Sequence, residues 1–164
     1  MSVFEFAMKM EEDGRAYYLN LAEKTEVPHL KKILNELADD ELKHFKIFKA
    51  MNEKEKAEYR EDEKTTIFST TKNVFEALKT EGKDHSFGGD LMDTWKQALE
   101  VEQKSENLYR EKAEEVGDDN YKSILHKIAD EEKRHQMIIE NVIHFLDKPK
   151  QWLEDAEWHN LVDF

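Results

Sequence analysis

A chain of 164 residues is one domain's worth of sequence, long enough to bury a substantial core. Its formal net charge of −13 argues against a nucleic-acid partner, whose phosphates call for clustered Lys and Arg. The absence of cysteine excludes disulfides, thiolate metal sites and Cys-ligated iron–sulfur clusters.

Five glycines, two prolines and 38% charged residues suit long helices better than turn-rich sheets. No run of about 18 apolar residues is present, and the opening Met-Ser-Val-Phe-Glu-Phe lacks a basic segment followed by an apolar one. The expectation is a soluble, cytoplasmic protein with no membrane partner.

The first predicted helix runs from about Ser2 to Lys24, with Phe4, Ala7, Glu11, Gly14, Tyr18 and Leu21 three and four apart on one stripe. Glu11 therefore occupies a core position. A second helix begins near Val27, where Pro28 suits a first turn; its stripe is Leu30, Leu34, Leu37, Glu41, His44, Phe48 and Met51. Residues from about 52 to 89 form a charge-rich connection with one short helix holding Val74, Phe75 and Leu78. Adjacent antiparallel helices need only a handful of linking residues, so this connection is expected to cross the bundle.

A third helix, from about Asp90 to Val116, places Trp95, Ala98, Glu102, Ser105 and Tyr109 inward. Gly117 is expected to end it, with Asp118 or Asp119 capping the next. The fourth helix carries Tyr121, Leu125, Ile128, Glu132, His135, Ile139 and Val142, and Pro149 is expected to stop it. The predicted organisation is a four-helix bundle over residues 1–147, with a tail over 148–164 rich in apolar residues: Trp152, Leu153, Trp158, Leu161, Val162 and Phe164. So much aromatic surface is expected to dock on the bundle or on another subunit.

Shifted by 91 positions, the chain matches itself. Ala7 meets Ala98, Glu11 meets Glu102, Tyr18 meets Tyr109, and Ile33-Leu34 meets Ile124-Leu125. The Glu-x-x-His steps Glu41/His44 and Glu132/His135 coincide as well. A residue and the one three further on share a helix face, so each step presents an oxygen and an imidazole nitrogen to one point. Such a pair suits a borderline metal ion.

Within an antiparallel hairpin, residues equidistant from the turn lie level. The midpoint of Glu11 and Glu41 is position 26, and that of Glu102 and Glu132 is position 117, both on predicted turns. Two hairpins paired head to tail would gather four carboxylates and two imidazoles at mid-bundle. Burial there costs several kcal/mol per uncompensated charge. A pair of divalent cations would balance the four Glu and leave the histidines as neutral ligands, and Glu from two helices plus Glu-x-x-His from two others is the di-iron or di-manganese arrangement of ferritin-like bundles.

At these residues the chain resembles the ferritin-like superfamily, and most closely the rubrerythrin family, over roughly Phe4 to Leu146. The resemblance implies an all-α ferritin-like four-helix bundle, two repeated hairpins joined by a long crossover, holding two iron ions, with manganese or a mixed pair as alternatives. It makes Glu11, Glu41, Glu102 and Glu132 metal ligands, two of them bridging, with His44 and His135 completing one site each. It implies reduction of hydrogen peroxide, or of dioxygen, and a homodimer. Two departures stand out. The family's further ligand Glu on the third helix is replaced by Ser105, with Glu106 on an adjacent angle, which bears on the family's redox-linked iron movement. The usual rubredoxin domain has no counterpart, since cysteine is absent, so electrons are expected from a separate rubredoxin-type donor.

Spacing adds supporting candidates. Tyr18 and Tyr109 lie two turns beyond Glu11 and Glu102, and serve either the ligand carboxylates and redox steps or ordinary packing. Asp40 and Glu131 can fix the histidine tautomers across the dyad, or lie exposed. Gly14 and Ser105 leave room for a small ligand, or allow close helix approach. His29, His85, His126, His144 and His159 have no repeat partner and read as structural or solvated. Two other functions compete with the redox enzyme: a ferroxidase or iron-handling protein, and a bundle whose metal is structural.

Overall fold

The computed structural model describes residues 2–54, 57–59, 65–82, 87 and 89–155. Trp158, Leu161, Val162 and Phe164 of the tail, with His85 and His159, lie outside the described residues. The helices are α1 (Val3–Lys24), α2 (Pro28–Asn52), α3 (Ile67–Glu81), α4 (Gly89–Glu115), α5 (Asp119–Asp147) and α6 (Pro149–Glu154). No strand occurs among the described residues.

Local chemistry sets most of these boundaries. Ser2 and Glu5 form a reciprocal capping box at the start of α1, each side chain accepting from the other's backbone N–H. Pro28 opens α2, where its missing N–H costs nothing. Asp118 accepts from the Tyr121 backbone N–H at 3.0 Å and caps α5. Gly82 closes α3 at φ 61°, a left-handed conformation that suits glycine.

Two boundaries fall beside the expected residues but are finished in another way. The last turn of α4 is finished by the Val116 N–H bonding the Lys112 carbonyl at 3.1 Å, before Gly117, which does not adopt positive φ. Pro149 does follow the end of α5, but it also opens α6, because a proline is tolerated at a first helical position.

Helices α1 and α2 pack as one hairpin and α4 and α5 as another. The hairpins lie head to tail, as two separate apolar clusters show. One joins the turn end of the first hairpin (Leu21, Leu30, Ile33) to the open end of the second (Trp95, Val142, Phe145). The other joins Ala7, Phe48 and Met51 to Tyr109, Ile124 and Leu125. Each fully buried Leu, Ile or Phe contributes about 1.5–3 kcal/mol. Between the clusters lies a polar layer.

The crossover helix α3 packs on α2 and α5 and so covers the seam between them. Trp152 of α6 meets Phe75 of α3 edge to face at 5.9 Å and stacks on His144, so this part of the tail docks on the bundle. The backbones of α3 and α6 do not approach those of α1 or α4. The α1–α4 seam is therefore uncovered among the described residues.

Candidate metal centre

The polar layer contains Glu11 from α1, Glu41 and His44 from α2, Glu102 from α4, and Glu132 and His135 from α5. All six are 4% exposed or less, which rules out solvation as the answer to their charge. They form two overlapping groups of potential ligand atoms, each within 4.8 Å of one another: Glu11, Glu41, His44 and Glu132 in one, Glu41, Glu102, Glu132 and His135 in the other. Glu41 and Glu132 belong to both. The imidazole rings of His44 and His135 face each other at 6.0 Å, inclined by 24°.

Each imidazole is held at one nitrogen and open at the other. His44 Nε2 bonds the Glu131 carboxylate, and His135 Nε2 bonds Asp40 Oδ2 at 2.9 Å. A carboxylate partner takes the N–H and leaves the Nδ1 lone pair toward the centre. His44 Nδ1 lies 2.9 Å from Glu132 Oε1 and 3.5 Å from Glu11 Oε2. His135 Nδ1 lies 3.3 Å from Glu41 Oε1 and 3.4 Å from Glu102 Oε1.

The tyrosines also reach across. Tyr109 donates to Glu11 Oε1 at 2.7 Å, and Tyr18 donates to Glu102 Oε1. Each of these four bonds joins one hairpin to the other: Asp40 and Tyr18 serve His135 and Glu102, while Glu131 and Tyr109 serve His44 and Glu11. The pairing of Asp40 and Glu131 with the opposite histidine follows the dyad expectation, and both carboxylates are buried rather than exposed.

Whether the donor set fits cations is answered by its unmet valences. Ten buried side-chain atoms lack a hydrogen-bond partner among the described residues, and six come from this layer, one per residue: Glu11 Oε2, Glu41 Oε1, His44 Nδ1, Glu102 Oε2, Glu132 Oε1 and His135 Nδ1. A native interior leaves few such atoms, so six converging in one layer form a donor cage. Four carboxylates and two imidazole nitrogens suit a pair of borderline divalent ions.

Protonation gives the same answer. Burial and the charge of Glu11 push Glu41 well above the usual carboxylate range, and burial with the charges of Glu102 and Glu11 does so for Glu132. Burial opposes ionisation of Glu102, yet the His135 charge beside it, with the neighbouring Glu132 and the Tyr18 hydroxyl, holds it at about 2. Glu11 is lowered against its burial by Glu41, His44 and Tyr109. Burial also opposes charge on the histidines, but Glu11 raises His44 and Glu102 raises His135 well above the ordinary value. Without cations, the surroundings of Glu41, Glu132, His44 and His135 all favour proton uptake over unbalanced negative charge.

Ser105 is buried and supplies no carboxylate. Glu106 is turned away, held by Arg110 Nε at 2.8 Å and Gln136 Nε2 at 2.9 Å. The layer thus has four carboxylates and no fifth on α4. Gly14 makes room for the Glu41 carboxylate: a Cβ there would lie 3.1 Å from Glu41 Oε2. Of the solitary histidines, His29 bonds Glu81 at 2.7 Å, His126 pairs with Glu114 at 3.3 Å and His144 stacks on Trp152, all away from the centre.

Two crossover residues escaped the sequence reading. The Thr65 hydroxyl donates to Asp40 Oδ2 while its backbone N–H donates to Glu131 Oε1 at 3.1 Å. Tyr59 donates to the same Glu131 oxygen at 2.6 Å. Both carboxylates that hold the imidazoles are thereby tied to one residue. Helical spacing and the internal repeat carry no signal for Thr65 or Tyr59, because neither lies in the repeated hairpins.

Comparison with known proteins agrees with this architecture. The family model described as Rubrerythrin matches residues 2–143. No curated protein and no solved structure matches the chain.

Proposed function

The chain belongs to the rubrerythrin family, and from that premise we propose that it is a di-iron oxidoreductase that reduces hydrogen peroxide with electrons from a separate rubredoxin-type donor protein. The observation that carries this reading is the sharing of Glu41 and Glu132 between two ligand groups, each completed by its own Glu and His. In this reading Glu41 and Glu132 would serve both ions, Glu11 and His44 would complete one half, and Glu102 and His135 would complete the other. Two ferrous ions held there would supply two electrons at neighbouring Lewis-acid centres, matching the two-electron demand of an O–O bond.

The protein's own groups prepare that chemistry. Asp40 and Glu131 fix the imidazoles with Nδ1 inward, so the ligand lone pairs need no reorientation. Burial, then the neighbouring Glu102 charge, keeps the Tyr18 hydroxyl protonated far above neutral pH. It remains a hydrogen-bond donor to Glu102, and Tyr109 plays the same part for Glu11. The flanking apolar clusters close the layer at both ends along the bundle axis, which strengthens the charge interactions between them.

Stopped-flow mixing of the diferrous protein with hydrogen peroxide, and separately with dioxygen, tests the proposal. Faster oxidation by peroxide, with turnover sustained by a reduced rubredoxin-type donor, is expected. Faster oxidation by dioxygen, with ferric ion released to solution, would replace the peroxidase with a ferroxidase.

A further inference from the structure

The α1–α4 seam contains a cavity of about 290 Å³. Gly14, Tyr17 and Tyr18 line it from α1 and Ala98, Val101 and Ser105 from α4, with the carboxylates of Glu41 and Glu102 in its wall. Exposed Asp13 and Val101 stand at its solvent side, and buried Ala98, Ser105 and Tyr18 at its depth. It therefore leads from solvent to one bridging and one terminal carboxylate of the candidate centre.

Its size is out of proportion to hydrogen peroxide. A water molecule occupies about 30 Å³, and a cavity of about 150 Å³ is enough to hold benzene. Three features make the volume: glycine at position 14, alanine at 98 and serine at 105. Met10, Tyr17, Ala98 and Val101 give it largely apolar walls, which a substrate of two oxygens and two protons cannot use.

We infer that this cavity binds the organic portion of alkyl or aryl hydroperoxides and directs their O–O bond to the Glu41–Glu102 side of the centre. The inference rests on the redox reading above. For such a substrate the O–O bond would break to give one alcohol and one water, with two protons from solvent and the two electrons that a pair of ferrous ions held there would supply. The hydrocarbon lies against Met10, Tyr17, Ala98 and Val101, so apolar burial supplies affinity that hydrogen peroxide lacks.

The test uses the full chain, metal-free and iron-loaded, with 2-phenyl-2-propanol as the unreactive alcohol counterpart of cumene hydroperoxide. Calorimetric titration of the metal-free protein is expected to show saturable binding. Ala98→Leu, which fills the depth of the cavity, and Val101→Phe, which narrows its exposed mouth without entering the core, are each expected to weaken that binding by at least about tenfold. In the iron-loaded protein the ratio of kcat/KM for cumene hydroperoxide over hydrogen peroxide is expected to fall by a similar factor in both variants. Circular dichroism establishes that each variant folds, and Val101→Phe keeps the test open should Ala98→Leu not fold. Absence of alcohol binding at millimolar concentration, or binding that neither folded variant changes, overturns the inference. If the alcohol binds as expected but the loaded protein reduces neither hydroperoxide, the redox reading fails and the hydroperoxide assignment falls with it, leaving an alcohol-binding cavity.

Discussion

The two seams between the hairpins are built from matching halves of one repeat, yet they are finished in opposite ways. Along α2–α5 the crossover covers the bundle, and Tyr59 and Thr65 satisfy the carboxylates that hold the imidazoles. Along α1–α4 nothing among the described residues covers the bundle, and small side chains open a cavity to Glu41 and Glu102. The comparison teaches that pseudo-symmetry can place ligands while asymmetry divides labour. One seam keeps the donor atoms in position, and the other leaves two of the carboxylates beside a cavity.

The contrast breaks most completely if the groups common to both halves are removed. Glu41→Gln combined with Glu132→Gln is expected to abolish binding of both ions, whereas Glu11→Gln removes one. Elemental analysis of purified protein distinguishes two, one and zero equivalents. The metal-free double variant is expected to melt close to the parent, since Gln has the shape of the protonated carboxyl that burial and neighbouring charge favour at both positions.

A second test uses acidity. The raised pKa values of Glu41, Glu132, His44 and His135 mean that the folded, metal-free protein binds more protons than the unfolded chain. Stability from these groups is present below their unfolded values, 4.5 for Glu and 6.5 for His, and is lost as pH rises through the folded values. The melting temperature of metal-free protein should therefore fall from about pH 5 to pH 9, while that of the metal-loaded protein should not. A metal-free melting temperature that climbs over this interval would contradict the charge balance described for the layer.

The covered seam can be probed by itself. Thr65→Val removes the hydroxyl bond to Asp40 and is expected to weaken metal binding by about 10-fold, within the range for outer supporting residues. Tyr59→Phe removes a bond to Glu131 alone and should disturb the His44 half selectively. Mössbauer spectra of iron-loaded protein would then show the two irons becoming less alike.

The smallest effect is expected on the open seam. Gly14→Ala improves helix propensity by up to about 1 kcal/mol. Its Cβ would meet Glu41 Oε2 at 3.1 Å. The free carboxylate can yield, but a ligating one is constrained. The variant should therefore melt higher when metal-free and gain less than the parent on adding metal.

The six clustered residues were legible because the repeat states them twice, at positions that helical periodicity turns inward. The crosswise service of Asp40 to His135 and of Glu131 to His44 was legible as a possibility, since both acids recur beside the Glu-x-x-His steps. Thr65 and Tyr59 were not legible. They occur once, in a connection without period, and their roles follow only from which seam that connection covers. The open seam was hidden for the same reason: Gly14 and Ser105 announce small volume, but a cavity exists only if nothing lies over them. Pro149 shows a different limit, because a residue that forbids continuing one helix is equally suited to beginning the next.

The crosswise hydrogen bonds have one more consequence. A single hairpin, separated from its counterpart, would present a terminal carboxylate and an imidazole with no neighbour to orient them, so half a protein cannot make half a centre. The full set of oriented donor atoms therefore requires both hairpins packed together.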